Sequence, residues 1–466
     1  MRILIHGINF HPEAAGVGKY TGEMANWLAA GGHEVRVVTA PPHFPQWRVP
    51  PGYRPWRYER HRLRVPARLG AVLGGPLASE ARSMQIFRCP TWVPKNPNGR
   101  IRLLHLASFA LSSLPVMWLQ TRWHPDLVLV VEPTLFCAPQ ALLAARWSGA
   151  KSWLHIQDFE VDAAFELGDL AHRRGRDLAL SLERWFLQRF DRVSAISEQM
   201  VGRLNRKGID PSRCVLFPNW VDTRVIYPLP HASSFRSELG IAEKTVVALY
   251  SGSMGKKQGL DLLVDVARRL SARSDMRFVF CGEGSYRQFL VEQSKALSNV
   301  TFLPFQPPKR LNDLLNLADI HLLPQRAGAA DLVMPSKLTG MLASGRPVVA
   351  TAHPGTQLAD AVRGLGVVVP PGDSDAFASA IRTLAADRDL RLMLGRQARR
   401  YALTHLDSLV ILDQFERSLL AQCGIDEAHA SEGQAQGGVN ETPACDLRAN
   451  FVEPAGAVAV ANTRKH

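Results

Sequence analysis

The fold class predicted by this sequence is α/β, with two Rossmann-like parallel-sheet domains in tandem facing a central cleft. Three observations carry that reading. Short β-branched runs alternate with amphipathic helical stretches. The same rhythm restarts after a connection at Val221–Pro230. Glycine-rich turns follow several of the expected strands, at the ends where open α/β sheets hold their ligands. The length of 466 residues suits two domains and a tail. The expected boundaries are 1–225 for the first domain and 226–400 for the second. A helix at 401–425 is expected to return to the first domain, and 426–466 is expected to be a disordered tail.

Taken in order, strands are expected at Arg2–His6, Val35–Thr39, Leu127–Val131, Ser152–Ile156, Val193–Ile196 and Val215–Phe217. A helix from about Lys19 to Ala30 places Tyr20, Met24, Trp27 and Leu28 on one stripe. The second domain repeats the alternation. Its strands are expected at Val246–Tyr250, Phe278–Cys281, Val300–Leu303, Ile320–Leu323, Val348–Thr351 and Gly366–Val369. The helix after Gly259 sets Leu260, Leu263, Val264, Ala267 and Leu270 at helical spacing. Beyond about Gly424, small and polar residues dominate, as in a segment that cannot bury a core.

A formal charge of +13 favours anionic partners. The six cysteines form no CxxC pair, which speaks for reduced thiols and against a structural zinc site. The N-terminus lacks the pattern of a signal peptide, so a cytoplasmic protein is expected. The most apolar long stretch, Ile101 to Leu119, carries Arg102, His105 and three serines. It reads as a half-buried helix or as a helix lying in a membrane interface. Upstream, Arg48, Arg54, Arg57, Arg60, Arg62, Arg64 and Arg68 interleave with Trp47, Tyr53, Trp56 and Tyr58. That mixture suits a lipid headgroup layer, nucleic acid or a solvated loop. Peripheral contact with an anionic membrane ranks first, at the inner face of the cell membrane, and nucleic acid is not the expected partner.

Four motifs could carry chemistry. Gly16-Val-Gly18-Lys19 lies between the first strand and first helix, where glycines let backbone approach an anion or sugar. It does not match GxGxxG. Ser251-Gly252-Ser253-Met-Gly-Lys256-Lys257-Gln-Gly259 resembles a diphosphate cradle in physical terms and lacks the Walker spacing. Gly282-Glu283-Gly284 follows a strand directly. Leu154-His155-Ile-Gln157-Asp158-Phe-Glu160 ends a strand of the first domain; Asp158 or His155 could orient or deprotonate a hydroxyl there. A further stretch, Asp331 to Thr351, reads as loop, helix, turn and strand. Ser336 and Lys337 lie in its first helical turn, where free amides attract an anion, while Leu338, Met341 and Leu342 fall at helical spacing and would face a core.

In order, Gly16-Val-Gly18, Gly31-Gly-His-Glu-Val35, Ala195-Ile-Ser-Glu198, Pro218-Asn-Trp-Val-Asp-Thr223, Ala318-Asp-Ile320 and Ala343-Ser-Gly-Arg-Pro-Val-Val-Ala350 resemble the nucleotide-sugar glycosyltransferases of the GT-B fold, family 4. His155-Ile-Gln-Asp-Phe-Glu-Val161 and Asp331-Leu-Val-Met-Pro-Ser-Lys-Leu338 are similar to the WcaI-type enzymes of colanic acid exopolysaccharide synthesis. The resemblance implies transfer of a sugar from a nucleoside-diphosphate donor to a saccharide acceptor carried on a polyprenyl lipid, with retention and without a metal or other cofactor. It places Gly16, Gly18, Lys19, Gly252, Ser253, Lys256, Lys257, Gly282, Glu283, Ser336, Lys337 and Leu338 around the donor nucleotide and diphosphate. The catalytic candidates are Asp158, weighed above His155 at the strand end, and Asp331, beside which the family's first second-domain glutamate falls; the family's first-domain histidine maps nearer Gln157 than His155. Two departures stand out: Gly340 replaces a glutamate that usually holds the ribose, and Ser253 and Gln258 replace an arginine and a lysine. The alternatives are a GT-B epimerase, which turns over donor without acceptor, and a non-enzymatic basic module bound to membrane or nucleic acid.

Overall fold

A computed structural model of the chain describes residues 1–13, 15–66, 82–95, 99–132, 135–159, 173–326 and 335–425. The first sheet comprises β1 (Arg2–His6), β2 (Glu34–Thr39), β3 (Glu59–Val65), β4 (Arg82–Arg88), β5 (Leu127–Val131), β6 (Lys151–Ile156), β7 (Arg192–Ala195) and β8 (Cys214–Leu216). Their order across the sheet is β3-β4-β2-β1-β5-β6-β7-β8. Only β3 runs antiparallel, pairing with β4 from Glu59 opposite Arg88 to Val65 opposite Arg82. The central strand β5, Leu-Val-Leu-Val-Val, is buried along its whole length, as a strand covered on both faces must be.

The second sheet comprises β9 (Val246–Ser251), β10 (Met276–Cys281), β11 (Val300–Leu303), β12 (Ile320–Leu323), β13 (Val348–Thr351) and β14 (Gly366–Val369). Its order is β11-β10-β9-β12-β13-β14, all parallel. Both sheets reverse direction of growth once, between β1 and β5 and between β9 and β12. A reversal leaves a crevice at the strands' carboxyl ends, where adjacent connections diverge to opposite faces. The glycine turns after β1 and β9 open at those two crevices.

Helices Gly99–Thr121 and Ala138–Ser148 cover one face of the first sheet through Leu106, Phe109, Ala141 and Ala144. The helix Gly16–Ala30 covers the other face with Tyr20, Met24 and Leu28. Beside it lies the C-terminal helix Ser408–Gln422, contributing Ile411, Phe415 and Leu419 to the same core. Phe415 stacks on Phe217 at 3.7 Å between ring centroids and meets Trp153 edge-on at 5.4 Å. Removing that ring leaves a cavity as well as losing burial. Phe415→Ala is expected to destabilise the protein by about 3 kcal/mol or more, read from the urea midpoint.

The chain passes between lobes twice, side by side. Val221 and Asp407 form a parallel bridge, with the Val221 amide donating to the Leu406 carbonyl at 2.8 Å and the Ser408 amide donating to the Val221 carbonyl at 3.0 Å. Arg399 fastens this crossing by donating to the carbonyls of Thr223 (2.9 Å), Ile226 (2.8 Å) and Ala343 (3.0 Å).

The arginine-rich stretch is a loop only in part: Arg48, Arg54 and Arg57 lie outside strands and helices, and Arg68 lies outside the described residues. Arg60, Arg62 and Arg64 occupy exposed positions of the edge strand β3, alternating with His61, Leu63 and Val65. A two-residue period was present there, but its polar half is all arginine and its inner half is only partly apolar. Outward charge on an edge strand also discourages pairing with another chain. Residues 426–466, expected to be a tail, lie outside the described residues.

Candidate functional site

The crevice of the second sheet is built from backbone packed on backbone. Gly252 follows β9 with φ +139° and Gly282 follows β10 with φ +150°. A Cβ on Gly282 would lie 1.9 Å from the Gly252 carbonyl oxygen, and one on Gly284 would lie 2.3 Å from that of Met254. The two turns are stitched together by amides: Gly252 to the Cys281 carbonyl (2.9 Å), Met254 to Glu283 (2.8 Å) and Tyr286 to Met254 (2.9 Å).

Lys337 reaches into this crevice from the first turn of the helix Lys337–Ala343. A Cβ on Gly252 would sit 2.3 Å from its Cε, so glycine there is what leaves room for the lysine. The Lys337 ammonium donates to the Tyr250 hydroxyl and lies 4.4 Å from the centre of that ring. Tyr250 in turn donates to the Ser253 carbonyl at 2.6 Å. Burial raises the Tyr250 phenol's pKa, so it stays a neutral partner. Among the described residues no carboxylate pairs with Lys337. Burial pushes its ammonium down to about 7. A cation held in this way is poised for an anion from outside the chain.

That state has a measurable consequence. An anionic diphosphate beside Lys337 restores the proton that burial disfavours. Nucleoside-diphosphate binding is therefore expected to take up a proton above about pH 7, and affinity to fall by up to roughly tenfold per unit as pH rises further. Calorimetry in two buffers of different ionisation enthalpy measures the uptake; identical heats near pH 8 would contradict it. The unliganded protein behaves oppositely. Its Lys337 pKa lies below the unfolded value of 10.5, so this residue's contribution to stability grows as pH climbs from about 7.

The rim of the crevice carries exposed Ser253, Lys256, Glu283 and Ser336. Gln258 accepts the Gly255 amide at 3.0 Å and so holds the turn rather than facing a ligand. The side chain of Lys257, Glu160 and Asp331 lie outside the described residues. Leu338 faces the core, as its helical spacing predicts, rather than the donor that the resemblance implies. Its side chain packs in a core with Leu315, Met341 and Leu342, and its amide already donates to the Pro335 carbonyl. A Cβ on Gly340 would point at Leu315, 3.3 Å away.

On the first lobe, the turn after β1 is held by Glu13. This buried carboxylate accepts the amides of His43 (2.9 Å) and Phe44 (3.0 Å) and the side-chain amide of Asn9 (2.9 Å). A Cβ on Gly18 would stand 2.3 Å from Glu13 Oε2, and Gly16, at φ +63°, passes against the Phe44 ring. Lys19 follows, 3.6 Å from Glu23 and 4.5 Å from the centre of the Tyr20 ring. Burial opposes its charge, but Tyr20, Glu23 and Asp222 outweigh that and raise its pKa. The Tyr20 hydroxyl lies near the Thr339 side chain, two residues beyond Lys337. The Gln199 side chain donates to the Gly355 carbonyl at 2.8 Å. The helix Gly16–Ala30 thus comes close to the helix Lys337–Ala343.

Asp158 stands half-buried just past the carboxyl end of β6, on the same edge of the sheet as Gly16. His155 does not share that position. It is buried in the sheet, bonded to Ser194 Oγ at 2.9 Å and to Gln157 at 2.9 Å, and packed on Phe217. Burial lowers its pKa to about 3, so it is neutral and supports Gln157, which donates to Asn219. Two residues escaped the sequence reading. Tyr250 reads as one more apolar member of a buried strand. Glu13 had a visible signal, an acid three residues before a glycine turn, which no periodicity test weighs.

Comparisons with known proteins bear on this geometry. Residues 15–220 match the family described as glycosyl transferase 4-like domain, and residues 232–401 match glycosyl transferases group 1. The chain is 40% identical over 428 residues to WcaI of Escherichia coli (strain K12), which carries the name colanic acid biosynthesis glycosyl transferase; the match spans 89% of this chain and 98% of that one. Sucrose-phosphate synthase from Thermosynechococcus elongatus superimposes with a TM-score of 0.67 at 18% identity, over 90% of this chain and all of that one. HepE of Anabaena, in complex with UDP, gives 0.63 at 17% identity, again over 90% of this chain and 100% of its own. The shared architecture is GT-B.

Proposed function

This chain belongs to the group 1, family 4-like glycosyl transferases, and from that premise we propose that it moves a sugar from a nucleoside-diphosphate donor to a lipid-linked saccharide. The pathway is synthesis of an exopolysaccharide or another cell-surface glycan, and the work is done at the cytoplasmic face of the membrane. The single observation that carries the donor half is Lys337, a cation without a carboxylate partner among the described residues, lodged between two glycine turns at a strand-order reversal. A diphosphate fits that demand by charge and by the closeness of backbone it needs.

In this reading Lys337 leaves Tyr250 and takes the diphosphate. Lys19 and the Gly16–Lys19 turn approach the same group from the first lobe. Exposed Ser253 and Lys256 supply rim contacts, and Glu283 stands near the base. As the bond from sugar to diphosphate breaks, negative charge grows on the leaving oxygen, and a fixed ammonium stabilises that charge without a metal. Asp158 faces the incoming acceptor hydroxyl, with His155 and Gln157 positioning the strand end beneath it. The retained anomeric configuration rests on family resemblance, as does the lipid-linked acceptor. Relatives carrying the name D-inositol 3-phosphate glycosyltransferase match over about half of this chain, so acceptor chemistry varies among proteins of similar sequence.

The test is a panel of nucleotide sugars screened by thermal shift, followed by product analysis with a lipid-linked saccharide. A true donor raises the melting temperature by mass action. Acceptor-dependent release of nucleoside diphosphate, undiminished by chelator, is expected. Donor conversion without acceptor would favour the epimerase alternative, and no stabilisation by any nucleotide sugar would defeat both.

A further inference from the structure

The helix Gly99–Thr121 has its apolar residues on both sides. Leu106, Phe109, Ala110 and Met117 face the first sheet and are buried with it. On the opposite side Leu104, Leu111, Leu114, Trp118 and Leu119 are exposed, Leu111 by 68% and Trp118 by 53%. Their spacing keeps them on one stripe of a 3.6-residue helix. The stripe continues onto the neighbouring helix Ala138–Ser148, where Trp147 meets Trp118 at 4.4 Å between ring centroids and Leu143 is also exposed. A contiguous apolar surface of this kind is unusual on a protein that faces only water.

By length and composition this is a helix that could cross a membrane. Its inner face argues otherwise, because crossing would strip Phe109 and Met117 from the core of the first sheet. The surroundings of the outer face define its partner. No acidic residue occurs anywhere in Gly99–Thr121. Exposed Arg122 and Arg146 lie at the ends of the two helices, and exposed Trp56 and Arg57 stand beside Tyr58, whose hydroxyl donates to the Ser112 carbonyl at 2.8 Å. Tryptophans and leucines framed by arginines complement an anionic headgroup layer over acyl chains.

From this juxtaposition we infer that the outer stripe of Gly99–Thr121, with Trp147, is a docking surface that lies flat in the interface of an anionic bilayer. The same helix leads to the reaction site. Its His105 ring sits 4.8 Å from that of His43, whose amide is bound by Glu13, the carboxylate that shapes the Gly16–Lys19 turn. A saccharide on a lipid anchored at this surface therefore has a short path to the cleft. That last step rests on the transferase reading above; the docking surface itself does not.

Flotation of the full-length protein with phosphatidylcholine vesicles, with and without phosphatidylglycerol, is the test. The protein is expected to float, more completely with the anionic lipid. The double variant Leu111→Ser with Trp118→Ser should lower vesicle partitioning at least about tenfold, while its thermal shift with nucleoside diphosphate stays that of the parent. Arg122→Gln with Arg146→Gln should lose the preference for anionic vesicles and keep part of the binding to neutral ones. Equal flotation of parent and Leu111/Trp118 variant overturns the inference. So does a parent that stays unbound but sediments as a dimer which the variant converts to monomer, since the stripe would then join two copies. Turnover of a soluble acceptor separates the two readings: flotation without turnover sinks only the transferase proposal, and turnover without flotation sinks only the docking surface.

Discussion

Lys337→Ala is expected to weaken nucleoside-diphosphate binding by about 2 kcal/mol, roughly thirtyfold in Kd, without harming the fold. The size follows from losing a charge-assisted contact made in a partly enclosed crevice. Stability should hold or rise, because an ammonium without a carboxylate partner among the described residues is removed from beside buried Tyr250. Lys256→Ala provides the contrast. Its side chain is exposed on the rim, so its contribution is screened and the loss should stay within about 1 kcal/mol. Isothermal calorimetry measures both, and equal losses would mean that the diphosphate lies at the rim rather than in the crevice.

Gly282→Ala should be the most damaging single methyl group on the second lobe. At φ +150° an L side chain is strained wherever it points, and here the new Cβ would lie 1.9 Å from the Gly252 carbonyl oxygen. Backbone strain and overpacking together are expected to cost about 3 kcal/mol or more. Because Gly252 shields the Lys337 stem, separation of the two turns also displaces the ammonium. A urea titration should show a lower midpoint, and donor affinity should fall even where the protein remains folded. Gly355→Ala is a control, with a positive φ but open space around its Cβ; its effect should be strain alone.

The parallel core was legible because a buried strand leaves a plain mark. Leu127–Val131 and Val348–Ala350 are uninterrupted apolar runs bounded by turn residues. β3 and β4 left no such mark: Glu59–Val65 is half arginine and histidine, and Arg82–Arg88 mixes four polar side chains with three apolar ones, of which the sheet buries Met84 and Ile86. Their pairing depends on tertiary contact, which a local pattern does not encode.

The site was legible wherever glycine was forced by geometry. Gly16, Gly18, Gly252 and Gly282 all sit where a Cβ would collide or where φ is positive. Side-chain direction was not legible to the same degree. His155 and Asp158 are three residues apart in sequence, yet one ends inside the sheet and the other just past its edge. Strand alternation suggests opposite faces for such a pair but stops applying where the strand ends, after Ile156. Leu338 was legible from its helical spacing with Met341 and Leu342, and its side chain points into the core they form rather than toward a donor.

A crystal soaked with UDP tests the central claim most directly, through the position of the two phosphorus atoms. The expected result is a diphosphate within hydrogen-bonding distance of Lys337 Nζ, between the Gly252 turn and Gly16–Lys19, with the bond from Lys337 to Tyr250 broken. A diphosphate bound elsewhere while Lys337 remains on Tyr250 would contradict it.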